Sequence, residues 1–141
     1  MEPLDLKGRP PRGPREKLDG LTMLPRTIDK LRASLPGGNL NGYRIAGMSA
    51  RLLAGLGVEE DAIRAAVAAA PDDDAVAAWL RERADTTQYA VLSEQLERRG
   101  LADVADMKLF RATYPWVEGT PLDNLFDILE EDDRRTYAGR S

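Results

Sequence analysis

Five aliphatic side chains, Leu21, Leu24, Ile28, Leu31 and Leu35, recur at intervals of three and four residues, and the run stops at Pro36-Gly37-Gly38. Such intervals return to the same side of an α-helix, so the five make one stripe that needs other apolar surface to cover it. Thr22 stands where a helix cap is wanted, and Pro25 falls in the first turn, where a missing N–H costs little. A chain that opens with this helix has to supply further amphipathic elements to pack on it.

The rest of the sequence supplies helices. Ser49 is placed to cap a short one carrying Leu52 and Leu53, ended by Gly55-Leu56-Gly57. Glu59 and Glu60 sit in the favourable first turn of the next, which bears Ile63, Ala66, Val67 and Ala70 and stops at Pro71. Asp72, Asp73 and Asp74 open a helix with Val76, Trp79 and Leu80 facing inward, and Thr86 or Thr87 caps one running through Tyr89, Leu92, Leu96 and Arg99 to Gly100. Val104, Met107 and Phe110 belong to a sixth, ended by Pro115. Thr120-Pro121-Leu122-Asp123 marks the start of the last, with Leu122, Leu125, Phe126 and Leu129 as its apolar face. No segment alternates with the period of two that a strand needs. The expectation is an all-α fold, a compact single-domain array of six to seven short helices. Its core should hold Ile28, Leu31, Leu52, Ile63, Val67, Leu80, Leu92, Leu96, Phe110, Leu125 and Leu129.

With 141 residues, the chain has the length of one ordinary domain. Pro3, Pro10, Pro11 and Pro14 crowd its beginning, where a helix or strand interior would not tolerate them. Residues 1–13 therefore read as an extended Pro/Gly-rich arm with sparse contacts, 14–137 as the helical domain and 138–141 as a tail.

What is absent restricts the chemistry. The chain has no cysteine and no histidine, which removes thiolate nucleophiles, disulfides, the Ser-His-Asp and Cys-His arrangements and every His-ligated zinc site. A net charge of −4 argues against a general nucleic-acid binder. No apolar run approaches the ~18 residues of a membrane span, and the beginning lacks the apolar core of a signal peptide, which points to the cytoplasm.

Pro14-Arg15-Glu16-Lys17-Leu18 followed by Leu24-Pro25-Arg26-Thr27-Ile28-Asp29-Lys30 resembles the opening signature of a small bacterial family known only as a domain of unknown function. Gly42-Tyr43, Leu52-Leu53, Leu56-Gly57-Val58, Val76 with Trp79-Leu80, and Leu125-Phe126-Asp127-Ile128-Leu129-Glu130 fit the same pattern, over about residues 14–133. The Leu-Pro-Arg-x-Ile-Asp-Lys run is its most specific piece. The family pattern has Leu-Asp where Met48-Ser49 stand and a histidine near Ala84-Asp85, so an activity using those positions is not implied here. The resemblance implies a helical fold and no established function.

Arg26, Asp29 and Lys30 lie on the helix side away from the aliphatic stripe, with the two cations one turn apart. They read either as a solvated face with an Arg26–Asp29 ion pair or, joined by Tyr43 from the glycine-bearing loop, as a pocket for carboxylate or phosphate. Gly37 to Gly42 follows a helix rather than a strand and lacks Gly-Lys-Ser/Thr, so it reads as a helix stop rather than a phosphate loop. Asp123, Asp127 and Glu130 share a helix face that could hold a divalent cation, though no second ligand-bearing segment accompanies them. Tyr114, Trp116 and Val117 read as an apolar lid near Arg111, and Arg81, Arg83, Arg98 and Arg99 as solvated or paired. The functional expectation is a binding or interaction module for a small anion or a protein partner, with no cofactor, metal, nucleic acid or membrane. Its alternative is a small enzyme using Tyr43 with Arg26, Asp29 and Lys30, in which a buried Lys30 of lowered pKa could be a nucleophile.

Overall fold

The Asp-Gly pair at residues 19–20 turns the chain before the first helix begins. In the computed structural model, which describes residues 1–138, Lys17–Leu18 (β1) and Leu21–Thr22 (β2) pair antiparallel across it. Asp19 and Gly20 have φ of 53° and 81°, the two left-handed positions that a tight hairpin turn demands and that Asp-Gly adopts most readily. The chain is therefore mostly helical with one small sheet rather than purely all-α. Two-residue strands are too short to display any alternation. The Ser93 hydroxyl holds the hairpin to the helices, accepting from the Thr22 N–H at 3.1 Å and donating to the Gly20 carbonyl at 2.8 Å.

Among the described residues seven helices follow: α1 (Leu24–Ala33), α2 (Gly47–Leu56), α3 (Glu60–Ala69), α4 (Asp73–Arg81), α5 (Tyr89–Arg98), α6 (Met107–Thr113) and α7 (Leu125–Tyr137). Short 3₁₀ turns at Thr86–Gln88, Leu101–Asp103 and Pro115–Val117 link the later ones. Asp72 caps α4 as its position suggests, accepting from the Ala75 N–H at 2.9 Å. Four other expected caps are corrected. Thr86 and Thr87 lie in the 3₁₀ turn before α5, which Asp85 caps by accepting from the Thr87 N–H at 3.0 Å. Thr22 belongs to β2, and α1 starts instead behind Met23, whose φ of 67° is a left-handed conformation rare for a long side chain. Ser49 lies inside α2 and accepts from the Thr27 hydroxyl at 2.9 Å. The last helix starts after Asn124, not Thr120. The Asn124 side-chain oxygen takes the Phe126 and Asp127 N–H groups, while its amide donates to the Glu97 carbonyl at 2.8 Å and docks α7 on the end of α5.

α1 is the centre of the molecule. Nine of its ten residues are buried, because the hairpin, α2, α3, α7 and the first residues of the chain enclose it on all sides. Ile28, Leu31, Leu52, Ile63, Val67, Leu80 and Leu96 form the core around it with Phe126 and Ile128, and Leu125 and Leu129 border it. Leu92 and Phe110, expected in the core, are only half-buried. Gly55 explains part of this. A Cβ there would lie 2.5 Å from Leu92 Cδ1, so α2 and α5 meet with Leu92 capping the seam rather than filling it.

The expectation of sparse contacts before Pro14 is corrected too. Leu4 and Leu6 are buried in a small second cluster with Ala33, bordered by Leu40 and Tyr43. Leu4 N–H donates to the Arg32 carbonyl, and backbone bonds join Leu4 and Leu6 to Asn39. Two apolar side chains anchor the segment because the end of α1 gives them a ready slot. Prolines that exclude a helix do not exclude an ordered strap. Beyond Ala138, the tail expected at 138–141 lies outside the described residues.

Candidate functional site

The side of α1 read from sequence as solvent-facing is enclosed: Arg26, Asp29 and Lys30 are 1%, 2% and 6% exposed. Their ion pairing also differs from the expected Arg26–Asp29 contact. Arg26 makes a two-pronged bond to Asp133 of α7, Nη1 to Oδ2 at 2.7 Å and Nη2 to Oδ1 at 3.0 Å, and its guanidinium lies 5.5 Å from the Tyr43 ring centre. Tyr43 donates its hydroxyl to the same Asp133 at 2.7 Å. Burial and that bond to a carboxylate push the Tyr43 hydroxyl well above its ordinary pKa, so it remains a donor. Asp29 points elsewhere and takes the backbone N–H and guanidinium of Arg12, which reaches on to Asp73 at 2.6 Å. Burial works against the Arg12 charge, but its bonds to Asp73 and Asp29 outweigh that and raise its pKa.

Lys30 has no such partner. Among the described residues nothing pairs with its ammonium, although it is more than nine-tenths buried. Burial, reinforced by the Arg26 charge one turn earlier and only partly opposed by Asp133, pushes its pKa down to about 7. Lys30 lines a cavity of about 550 Å³, within the range of small-molecule sites. Arg26 and Tyr43 line the same cavity; Asp29 does not. Met23, Met48, Phe110 and Leu129 give it an apolar wall, and the 41–47 loop and the start of α2 face α6 and α7 across it.

Three further arginines reach this cavity. Arg44 and Arg51 have no carboxylate partner among the described residues, and Arg99, read from sequence as solvated or paired, is half-buried and donates through Nη2 to the Asp103 carbonyl at 2.8 Å. The Arg99 Nε is buried without an acceptor; burial, then the nearby Arg51 charge, lowers its pKa. Of the acids on the wall, Asp106 is occupied capping α6, Asp103 accepts from the Gly100 N–H, and Asp132 accepts from the Trp116 indole N–H at 3.1 Å. Burial first, then the neighbouring Asp133 charge, raises the Asp132 pKa. Tyr114 lines the cavity against Phe110, their rings 4.9 Å apart, while Trp116 lies beneath Arg135.

The acidic face at Asp123, Asp127 and Glu130 is not gathered around an empty centre. Arg15 bonds Asp127 at 2.8 Å and also Glu130, and Asp123 faces the Leu101 N–H. Among the described residues no group of three or more acidic side chains is arranged to hold a metal ion. Sequence reasoning missed Asp133, although a signal was present. Phe126, Leu129 and Asp133 are spaced by three and four, so an acid continues the apolar stripe and needs a buried cation. Arg51 and Arg99 are far apart in the chain, and no local pattern joins them.

A family model described as "Domain of unknown function (DUF5069)" matches residues 8–135. No curated protein matches the chain. No helix among the described residues is long and apolar enough to cross a membrane.

Proposed function

The chain belongs to that family of unknown function, and we propose that its cavity binds a small organic anion, a carboxylate or phosphate, through Arg44, Arg51 and Arg99. One observation carries this reading: Arg44, Arg51 and Arg99 line one concave site, and among the described residues none of the three is held in a salt bridge. Arg51 and Arg99 repel each other in the free protein, and an anion between them would relieve that repulsion and give the buried Arg99 Nε an acceptor. Tyr43 and Arg26 belong to the wall rather than to the capture group, since Asp133 already holds both. Asp29, engaged by Arg12, supports α1 from behind. The Leu24-Pro25-Arg26-Thr27-Ile28-Asp29-Lys30 run fits the role of a family signature because each of its charged residues is buried and has a separate task. A cytoplasmic bacterial setting accords with a small organic anion as ligand.

A thermal-shift panel of small carboxylates and phosphates tests the reading. At least one should raise the melting temperature of the wild type, and Arg51→Ala, an exposed position, should abolish the shift without lowering the ligand-free value. No shift across the panel would refute the anion site and favour a protein partner.

A further inference from the structure

We propose that the Lys30 side-chain amine is a nucleophile that condenses with the carbonyl carbon of a small aldehyde or ketone bearing a carboxylate or phosphate. This rests on the anion-site reading and names its ligand class. The argument begins with what surrounds the amine. The carboxylates beside Lys30 are engaged elsewhere: Asp29 by Arg12, Asp133 by Arg26 and Tyr43, and Asp132 by the Trp116 indole. Arg26, one helical turn away, disfavours a second positive charge, and burial leaves Lys30 little of the water an ammonium needs. A lysine kept only to attract anions would gain from a charge-supporting neighbourhood. This one is surrounded so as to keep its lone pair free, the circumstance in which lysines attack carbonyls. Its opening onto a ligand-sized cavity makes the lone pair reachable.

The site also divides the work. Arg51 and Arg99 supply charge for the anionic end, leaving Lys30 for the uncharged carbonyl. The Nζ lone pair forms the C–N bond while the carbonyl π pair moves to oxygen, which takes up a proton, giving a carbinolamine. Loss of its hydroxyl with one proton as water then forms the protonated C=N bond. No oxidant or reductant takes part. Asp132 lines the same cavity, and the proton that leaves with the water comes from solvent.

Reductive trapping tests this on the full-length protein. Glyoxylate or dihydroxyacetone phosphate is added with cyanoborohydride at pH 7, and peptide mass mapping follows the adduct at each lysine. Lys30 should be modified about tenfold faster than the exposed Lys7, Lys17 and Lys108. Its rate should saturate with probe concentration. Arg51→Ala should raise the half-saturating concentration and leave the limiting rate unchanged. Lys30→Met, which keeps the side chain's length, should still show the anion-induced thermal shift while forming no adduct above the surface background. Modification of Lys30 no faster than of the surface lysines overturns the proposal. If anions still stabilise the protein and Arg51→Ala still abolishes that effect, the anion site survives and only the nucleophile falls. Rapid Lys30 modification that neither saturates nor responds to Arg51→Ala would keep the nucleophile and refute the anion site.

Discussion

Asp133→Asn removes one charge and changes little else in size, yet it strikes the most buried ion pair in the molecule. Arg26 is 1% exposed and rests on Asp133 through bonds of 2.7 and 3.0 Å, with one weaker bond to the Arg12 carbonyl at 3.2 Å; its Nε has no acceptor. Neutralising the partner leaves a nearly fully buried guanidinium without counter-charge. Breaking such a pair on one side costs about 3–5 kcal/mol, against roughly 5–15 kcal/mol of total stability for a domain. Asparagine retains an oxygen for the Tyr43 hydroxyl, which places the loss at the lower end of that range. Urea denaturation at neutral pH should show a lowered midpoint with an unchanged slope. The loss should persist at high salt, because screening acts on exposed pairs. Arg26→Met with Asp133→Leu should recover most of it, since an apolar pair of similar volume avoids the desolvation cost. A loss below about 1 kcal/mol, the size of an exposed pair such as Arg134–Glu131, would refute the claim that burial sets the worth of this pair.

Deleting residues 1–13 should lower the melting temperature by as much as a core truncation, because Leu4, Leu6 and the Arg12–Asp29 bonds go with them; an unchanged value would make 14–137 a self-sufficient domain. Ser93→Ala should cost about 1–3 kcal/mol in chemical denaturation by leaving the buried Thr22 N–H without its acceptor. The Lys30 pKa is lower in the folded chain, about 7, than its ordinary 10.5, so between those values the unfolded chain binds more protons and stability rises with pH. Lys30→Met should therefore be more stable than the wild type near pH 7, with the gap in melting temperature closing toward pH 10. A constant gap would contradict the assignment.

The helices were legible wherever a single property decided them. The Leu24–Leu31 stripe, the Asp72 cap and the Pro71 stop are local statements, and the fold keeps all three. The hairpin was legible in principle through Asp19-Gly20, but strands of two residues carry no periodicity to support the turn. Reading the Arg26–Lys30 face as solvated failed for a definite reason. A helical wheel identifies the most apolar side of a helix, whereas a helix enclosed on every side must bury its polar side as well. Burial then turned three charged residues into separate tasks, and only Asp133, an acid on an apolar stripe, hinted at the partner. Arg51 and Arg99 meet through the packing of α2 on the end of α5, beyond the reach of any pattern in either segment.

The central claim is that anions enter the cavity between Arg51, Arg99 and Lys30. A titration of the ¹⁵N-labelled protein with glyoxylate, followed by amide chemical shifts, tests it most directly. Saturable shifts should gather in residues 42–51 and 99–106, around Lys30 and along the facing turns of α7, and should vanish in Arg51→Ala. Shifts that are scattered over the surface, or that gather at the exposed arginines of α4 and α5, would contradict it.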